Sequence, residues 1–217
     1  MSATEENKTA NEEKKTESAS WELLKYSIAS VAAGFSIGTA GLVFSVLKDK
    51  EPCGFFIGAF CFSFGLYYVL LKELKLYTGR IGFLSESIPR FALMLILNFV
   101  GAALAGYLAK ASYKVDPIVG IAETKLGLCW LNVLGRAFLC GMMMYFAVDG
   151  WKRTRSPFPV CLGVFIFVAC GFEHCVADIF YFTAADKLLA LETWKFTFFA
   201  VLGNSLGAVA LRKISLC

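Results

Sequence analysis

Long uncharged apolar runs, separated by short polar segments, set the pattern of this chain. Residues 26–47 ("YSIASVAAGFSIGTAGLVFSVL"), 53–71 ("CGFFIGAFCFSFGLYYVLL") and 91–109 ("FALMLILNFVGAALAGYLA") each match the roughly 20 apolar residues a helix needs to cross hydrocarbon. The second half offers 126–148, then 158–182, then 194–211. The pattern predicts six transmembrane helices with both termini on one side of the membrane. Residues 1–20, "MSATEENKTANEEKKTESAS", are polar and mixed in charge, and are expected to be a disordered tail on the cytoplasmic side. They lack the basic start and apolar stretch of a secretory signal. The expected organisation is therefore a tail at 1–20, a six-helix membrane domain at 21–213 and a short tail at 214–217.

The two halves echo each other. Span three contains "LNFVGAALAG" and span six "GNSLGAVAL", each with an Asn three residues before Gly-Ala. With three spans per half, the second copy runs inverted relative to the first, an arrangement that builds a midplane site from broken helices. The candidate breaks are "KELKLYTGR" after span two and "GFEHCVADIF" within span five. Glycines at helical spacing (Gly34, Gly38, Gly41, Gly101 and Gly106) offer the small surfaces that let helices approach in lipid.

Composition agrees with the pattern. Of 217 residues 58% are hydrophobic and 18% charged, and mean hydropathy is +0.64, against roughly 25% charged in a soluble domain. The net charge of +4 has no clustered basic stripe, so nucleic-acid binding has no support. Of the eight cysteines, Cys61, Cys129, Cys140, Cys161, Cys170 and Cys175 lie in apolar runs and read as free thiols. No metal-ligand spacing occurs, and no metal or other cofactor is expected. Orientation follows the distribution of arginine: Arg80, Arg90, Arg153, Arg155 and Arg212 all fall in segments that a cytoplasmic N-terminus places inside. The expected location is a plasma or inner cell membrane.

Against this background Glu173, His174 and Asp178 stand out, three ionisable groups within one apolar run, His174 being the only histidine. An ionisable side chain at the bilayer centre costs at least about 2.5–3.5 kcal/mol, so its presence points to function. A buried neutral imidazole can donate one hydrogen bond and accept another, which suits a group facing a small weak acid or its anion. Thr78 and Asn204 are its expected polar neighbours, one from each half.

These residues also carry a resemblance. "GFEHCVAD" is similar to the GFEH-x-VAN signature of the formate/nitrite transporter family, "KLYTGR" to its ELFTGN break, and "LGN" in span six matches as well. The likeness runs from about residue 21 to residue 213. It implies an all-α, aquaporin-like six-helix protomer with two inverted three-helix repeats and broken helices two and five, assembled as a homopentamer. It implies that His174 is the central pore histidine, with Thr78 and Asn204 beside it. Phe62, Leu66 and Phe167 would form the constrictions on either side, and Lys125 would be a vestibule lysine. The implied function is passage of small monovalent anions (formate, nitrite, hydrosulfide, acetate or lactate) linked to protons, in a transport protein rather than an enzyme. The alternatives are an aquaporin-like pore for neutral solutes, which lacks its Asn-Pro-Ala motifs here, and a transport-inactive regulatory homologue.

Four positions depart from the family pattern. Lys75 replaces Glu and Arg80 replaces Asn at the first break, Asp178 replaces Asn at the second, and Arg136 in "RAFLC" stands where "NWLVC" begins with Asn. Because unpaired buried charges are costly, Lys75 is expected to pair with Glu173 and Arg80 with Asp178. Arg136 is expected either in a vestibule or as an interhelical brace.

Overall fold

The computed structural model describes residues 3–216, with side chains described from residue 18 onward. Helices account for nearly all of it. α1 (Ala3–Leu47) and α2 (Gly54–Leu71) lead to a one-turn α3 (Tyr77–Arg80), followed by a 3₁₀ turn at Ile81–Phe83. Then come α4 (Ile88–Ser112), α5 (Asp116–Leu126), α6 (Trp130–Thr154), α7 (Phe158–Ala169), α8 (Cys175–Ala184) and α9 (Leu191–Ser215). Among the described residues α1, from Ser18 on, and α2, α4, α6 and α9 are long and apolar enough to cross a membrane. The expected fifth span is occupied by two shorter apolar helices, α7 and α8. The first turns of α1 run through the stretch whose composition reads as a disordered tail.

Both expected breaks are present, and local chemistry accounts for them. α2 ends at Leu71, after which Glu73 takes a left-handed φ of 52° and the chain stays extended until Leu76, at φ −103° and ψ 123°. α7 ends at Ala169, and Gly171 turns the backbone at φ 64°, a conformation open to glycine without a Cβ clash. His174 then starts α8 as its N-cap.

One helix was not anticipated. α5 lies in the connection between spans three and four, opened by Asp116 and Pro117 in its first turn. It packs on α8 and carries Lys125 in its last turn.

Backbone approach holds the long helices in pairs. A Cβ at Gly101 of α4 would sit 1.9 Å from the Val31 carbonyl oxygen of α1, and one at Gly34 would sit 1.9 Å from that of Asn98. The second half repeats the motif: a Cβ on Gly207 of α9 would fall 1.8 Å from Phe138 O, and one on Gly141 of α6 would fall 2.1 Å from Asn204 O. Apolar surface supplies no preference for helix over lipid, so this close contact does the holding. Large side chains such as Ile28, Phe64, Leu108 and Phe198 point outward and exposed, as a lipid-facing exterior requires.

Candidate functional site

Two buried asparagines shape the site. Asn98 of α4 accepts from the Tyr77 N–H (2.8 Å) and donates to the carbonyls of Lys75 (2.8 Å) and Ser30 (2.7 Å). Asn204 of α9 does the same in the second half: it accepts from the Cys175 N–H (2.9 Å) and donates to Glu173 O and Ala137 O (both 2.8 Å). A broken helix leaves backbone donors and acceptors without intrahelical partners, and in an apolar interior each must be satisfied by something else. The two amides do this at the two breaks. Asn204, expected as a polar neighbour of His174 in the pore, is fully buried and spends its amide on the backbone either side of that histidine. Asn98 was visible in the Asn-x-x-Gly-Ala echo but was not singled out.

His174 is bonded at both ring nitrogens. Nδ1 accepts from the Ala177 N–H at 3.1 Å, capping α8, and Nε2 lies 2.9 Å from Thr78 Oγ1. A nitrogen that accepts a backbone N–H carries no proton. The neutral ring therefore holds its hydrogen on Nε2 and donates it to Thr78. The Thr78 contact is where α3 meets the start of α8.

Apolar rings pack against this pair. Phe167 stacks on His174, with ring centroids 5.7 Å apart and planes 19° apart. Phe62 meets Phe167 edge-on at 5.6 Å. Phe62, Phe167, Leu66 and Leu76 are all buried. On one side of this layer a cavity of about 590 Å³ is lined by Phe62, Phe167, His174, Lys125, Glu173 and Asp178. On the other side a cavity of about 240 Å³ is lined by Leu66, Leu76, Glu73, Arg80, Lys152 and Arg155. Leu76 is a further buried apolar residue beside this layer. It sits between the two groups bonded by Asn98, just as His174 sits between those bonded by Asn204. Aligning "KLY" with "EHC" would have found it.

The buried charges pair differently from expectation. Lys125 Nζ donates to Glu173 Oε2 through a short hydrogen bond and lies 2.9 Å from Asp178 Oδ1. Arg136 Nη1 lies 3.8 Å from Glu173 Oε1, while Arg80 Nη1 reaches Glu86 Oε1 at 3.3 Å. Neither Lys75–Glu173 nor Arg80–Asp178 forms, and among the described residues no ion pair involves Lys75. The breaks come from opposite ends of the assembly, so Arg80 faces one cavity while Glu173 and Asp178 face the other. Burial works against the charge on Lys125, but the carboxylates of Asp178 and Glu173 outweigh it and hold its pKa above the ordinary lysine range. Lys125 is thus a fixed cation engaged with two acids, not a solvated loop charge. Among the described residues, neither Asp178 oxygen finds hydrogen-bond geometry.

Two half-helix breaks, each clamped by an asparagine, meet at a histidine–threonine bond. The family model described as "Formate/nitrite transporter" matches residues 4–216. The chain belongs to the formate/nitrite transporter family. Relatives include a protein named "Formate channel FocA" from Haemophilus influenzae, 25% identical over 181 residues that cover 70% of this chain and 63% of that one. Another is a "Probable formate transporter" from Methanothermobacter thermautotrophicus, 27% identical and covering 84% of each. The chain thus spans somewhat less than two thirds of the Haemophilus protein's length. Among solved structures, one titled "FNT family ion channel" superposes with a TM-score of 0.80 at 18% identity, covering 91% of both chains. One titled "Pentameric formate channel with formate bound" gives 0.76 at 19% identity, covering 89% of this chain and 95% of that one. At these identities the structures establish the fold.

Membership in the formate/nitrite transporter family, together with five helices among the described residues that are long and apolar enough to cross a membrane, makes this a multi-pass membrane protein. Three of its four departures from the family pattern divide between the two cavities, and Lys75 lines neither. Asp178 gives Lys125 a second acid, and Arg136 lines the same cavity, whereas Arg80 joins Lys152 and Arg155 at the opposite mouth. There Lys152 Nζ rests 3.3 Å from the Phe83 ring centre, and Arg212 donates to Phe83 O at 2.7 Å.

Proposed function

We propose that this protein conducts small monovalent anions of weak acids (formate, nitrite, hydrosulfide, acetate or lactate) across a cell membrane, linked to protons, as a homopentamer. One observation carries the reading: a histidine–threonine hydrogen bond set in an apolar constriction between two charge-lined cavities. α7 and α8 act together as the sixth span. At 1.5 Å per residue their 12 and 10 residues amount to about 18 and 15 Å, together near the 30 Å of hydrocarbon. The Lys48 and Lys125 segments open on one cavity and Arg80, Lys152 and Arg155 on the other, which supports termini on the cytoplasmic side together with the second set.

The barrier to be overcome is desolvation. A bare anion in the Phe62–Phe167–Leu66 layer loses its hydration, while its neutral acid loses far less. In this reading the anion is drawn into a cavity by the cations, meets the Nε2–H of His174 or the Thr78 hydroxyl, and crosses as the acid. Because Nδ1 already caps α8, protonating His174 there breaks that cap. The ring therefore serves as hydrogen-bond donor, and the transported proton comes from the aqueous side. This bears on proton linkage: uptake rises as pH falls, because the anion itself becomes easier to protonate, while Lys125 stays charged throughout.

The test is uptake by proteoliposomes of formate, nitrite and hydrosulfide between pH 5 and 8, wild type against His174→Ala. Saturable uptake rising toward low pH and lost in the variant supports the reading. Water or glycerol flux without pH dependence would favour a neutral-solute pore. Absence of flux for every anion, in protein shown to be folded, would favour an inactive regulatory homologue.

A further inference from the structure

Arg136 stands on the first turns of α6 with its guanidinium at the break of the second half. Nη1 would be 3.9 Å from a Cβ placed on Gly171, and it is 3.8 Å from Glu173 Oε1. That distance is an ion pair without a hydrogen bond. Among the described residues no protein acceptor takes a hydrogen bond from any of its five N–H groups. Its side chain is 43% exposed and lines the 590 Å³ cavity that ends at His174 and Phe167.

Its neighbour does the opposite. Lys125 is 14% exposed and engaged with Glu173 and Asp178 at once. At this mouth the lysine is therefore consumed by the protein, and Arg136 is the cation beside the constriction with donors to spare. A guanidinium is a planar fork that matches two oxygens on one atom, which a point-charge ammonium does not. Phe44, Phe55, Ile121 and Phe172 line the same cavity, so an anion with a small apolar group finds both a fork and a greasy surface there.

We propose that Arg136 is the specificity residue of this mouth, docking anions that present two coplanar oxygens (carboxylates and nitrite) bidentately before they reach His174. Anions with one acceptor atom, such as hydrosulfide, gain only its charge. The inference rests on the proposed anion-channel function. The competing role for Arg136 is charge balance: with Glu173 and Asp178 outnumbering Lys125, one added cation makes the cluster neutral. Lysine would serve balance equally well, and this separates the two.

The experiment compares wild type, Arg136→Lys and Arg136→Gln in proteoliposomes, after size-exclusion elution has confirmed assembly. It measures half-saturation for formate, nitrite, acetate and hydrosulfide with substrate added at the Arg136 side. In Arg136→Lys the half-saturation for the two-oxygen anions rises about tenfold, as loss of one charge-assisted hydrogen bond would give, while that for hydrosulfide stays unchanged. In Arg136→Gln all values rise, the two-oxygen anions by more, so the ratio shifts the same way. The Gln variant alone decides the matter if the Lys variant does not assemble. Equal shifts for all anions, or none, in wild-type-like assemblies would overturn the docking role. A wild type that moves no anion would overturn the functional reading itself, a result distinguishable from either.

Discussion

In the proposed function His174 serves structure and transport through a single ring, because the nitrogen that caps α8 fixes the hydrogen on the nitrogen facing Thr78. Replacing it separates the two roles. His174→Ala removes an N-cap, a loss of about 1 kcal/mol, together with the donor at the constriction. Formate uptake is expected to fall by about tenfold or more, as removal of a hydrogen bond to a charged partner implies. His174→Asn is expected to keep the cap, since Asn is among the favoured capping residues, and to unfold in detergent at a temperature close to wild type while transport still drops. Equal thermal loss in both variants would show that the cap does not depend on the side-chain acceptor. Asn204→Ala belongs to the same scale. It strands the Cys175 N–H and the Glu173 carbonyl in an apolar interior, at about 1–3 kcal/mol each, and thermal unfolding should register a loss of about 2–6 kcal/mol. Asn98→Ala should lose a similar amount, because Asn98 makes the equivalent bonds at the first break.

At the scale of elements, stability rests on helices whose backbones touch. Gly207→Ala would drive a methyl to within 1.8 Å of Phe138 O, and α9 cannot yield without leaving α6. Overpacking of this kind costs about 1–3 kcal/mol. Gly135 is the control on the same helix pair, since a Cβ there meets nothing within 4 Å. Gly135→Ala is expected to be neutral or slightly stabilising in a thermal-unfolding assay, and Gly207→Ala clearly destabilising. A reversed order would contradict the α6–α9 contact. The sequence made such elements partly legible. Hydropathy located the long spans, and the motifs around Thr78 and His174 located the breaks, because apolar run length and local turn chemistry are properties of contiguous residues. α5 went unseen since eleven residues of mixed polarity in a connection carry no such signal.

The whole molecule sets a field across its two mouths. Arg80, Lys152 and Arg155 line one cavity together with Glu73, whereas at the other Lys125 is already engaged by Glu173 and Asp178. With substrate added at the Arg80 side, uptake by Lys152→Gln combined with Arg155→Gln is expected to fall a few-fold at low ionic strength. The difference should fade as salt shortens the Debye length from about 10 Å at 0.1 M to 3 Å at 1 M. Uptake from the Lys125 side should be insensitive to that pair. Loss of the same size from both sides would show that these residues shape the fold and not the field.

The sequence by itself determined the membrane class, the long spans and the two breaks, and it singled out the ionisable groups His174, Glu173 and Asp178 inside an apolar run. Only the tertiary structure decided who meets whom. It gave Glu173 and Asp178 to Lys125, 48 residues from Glu173 along the chain, and sent Arg80 to Glu86 at the other mouth. It committed the Asn204 amide to the backbone either side of His174, and among the described residues it gave Arg136 an ion-pair distance to Glu173 but no hydrogen bond. Charges in an apolar interior must find partners, but which partner is within reach depends on how the breaks approach from opposite ends. Spacing along one helix does not contain that information.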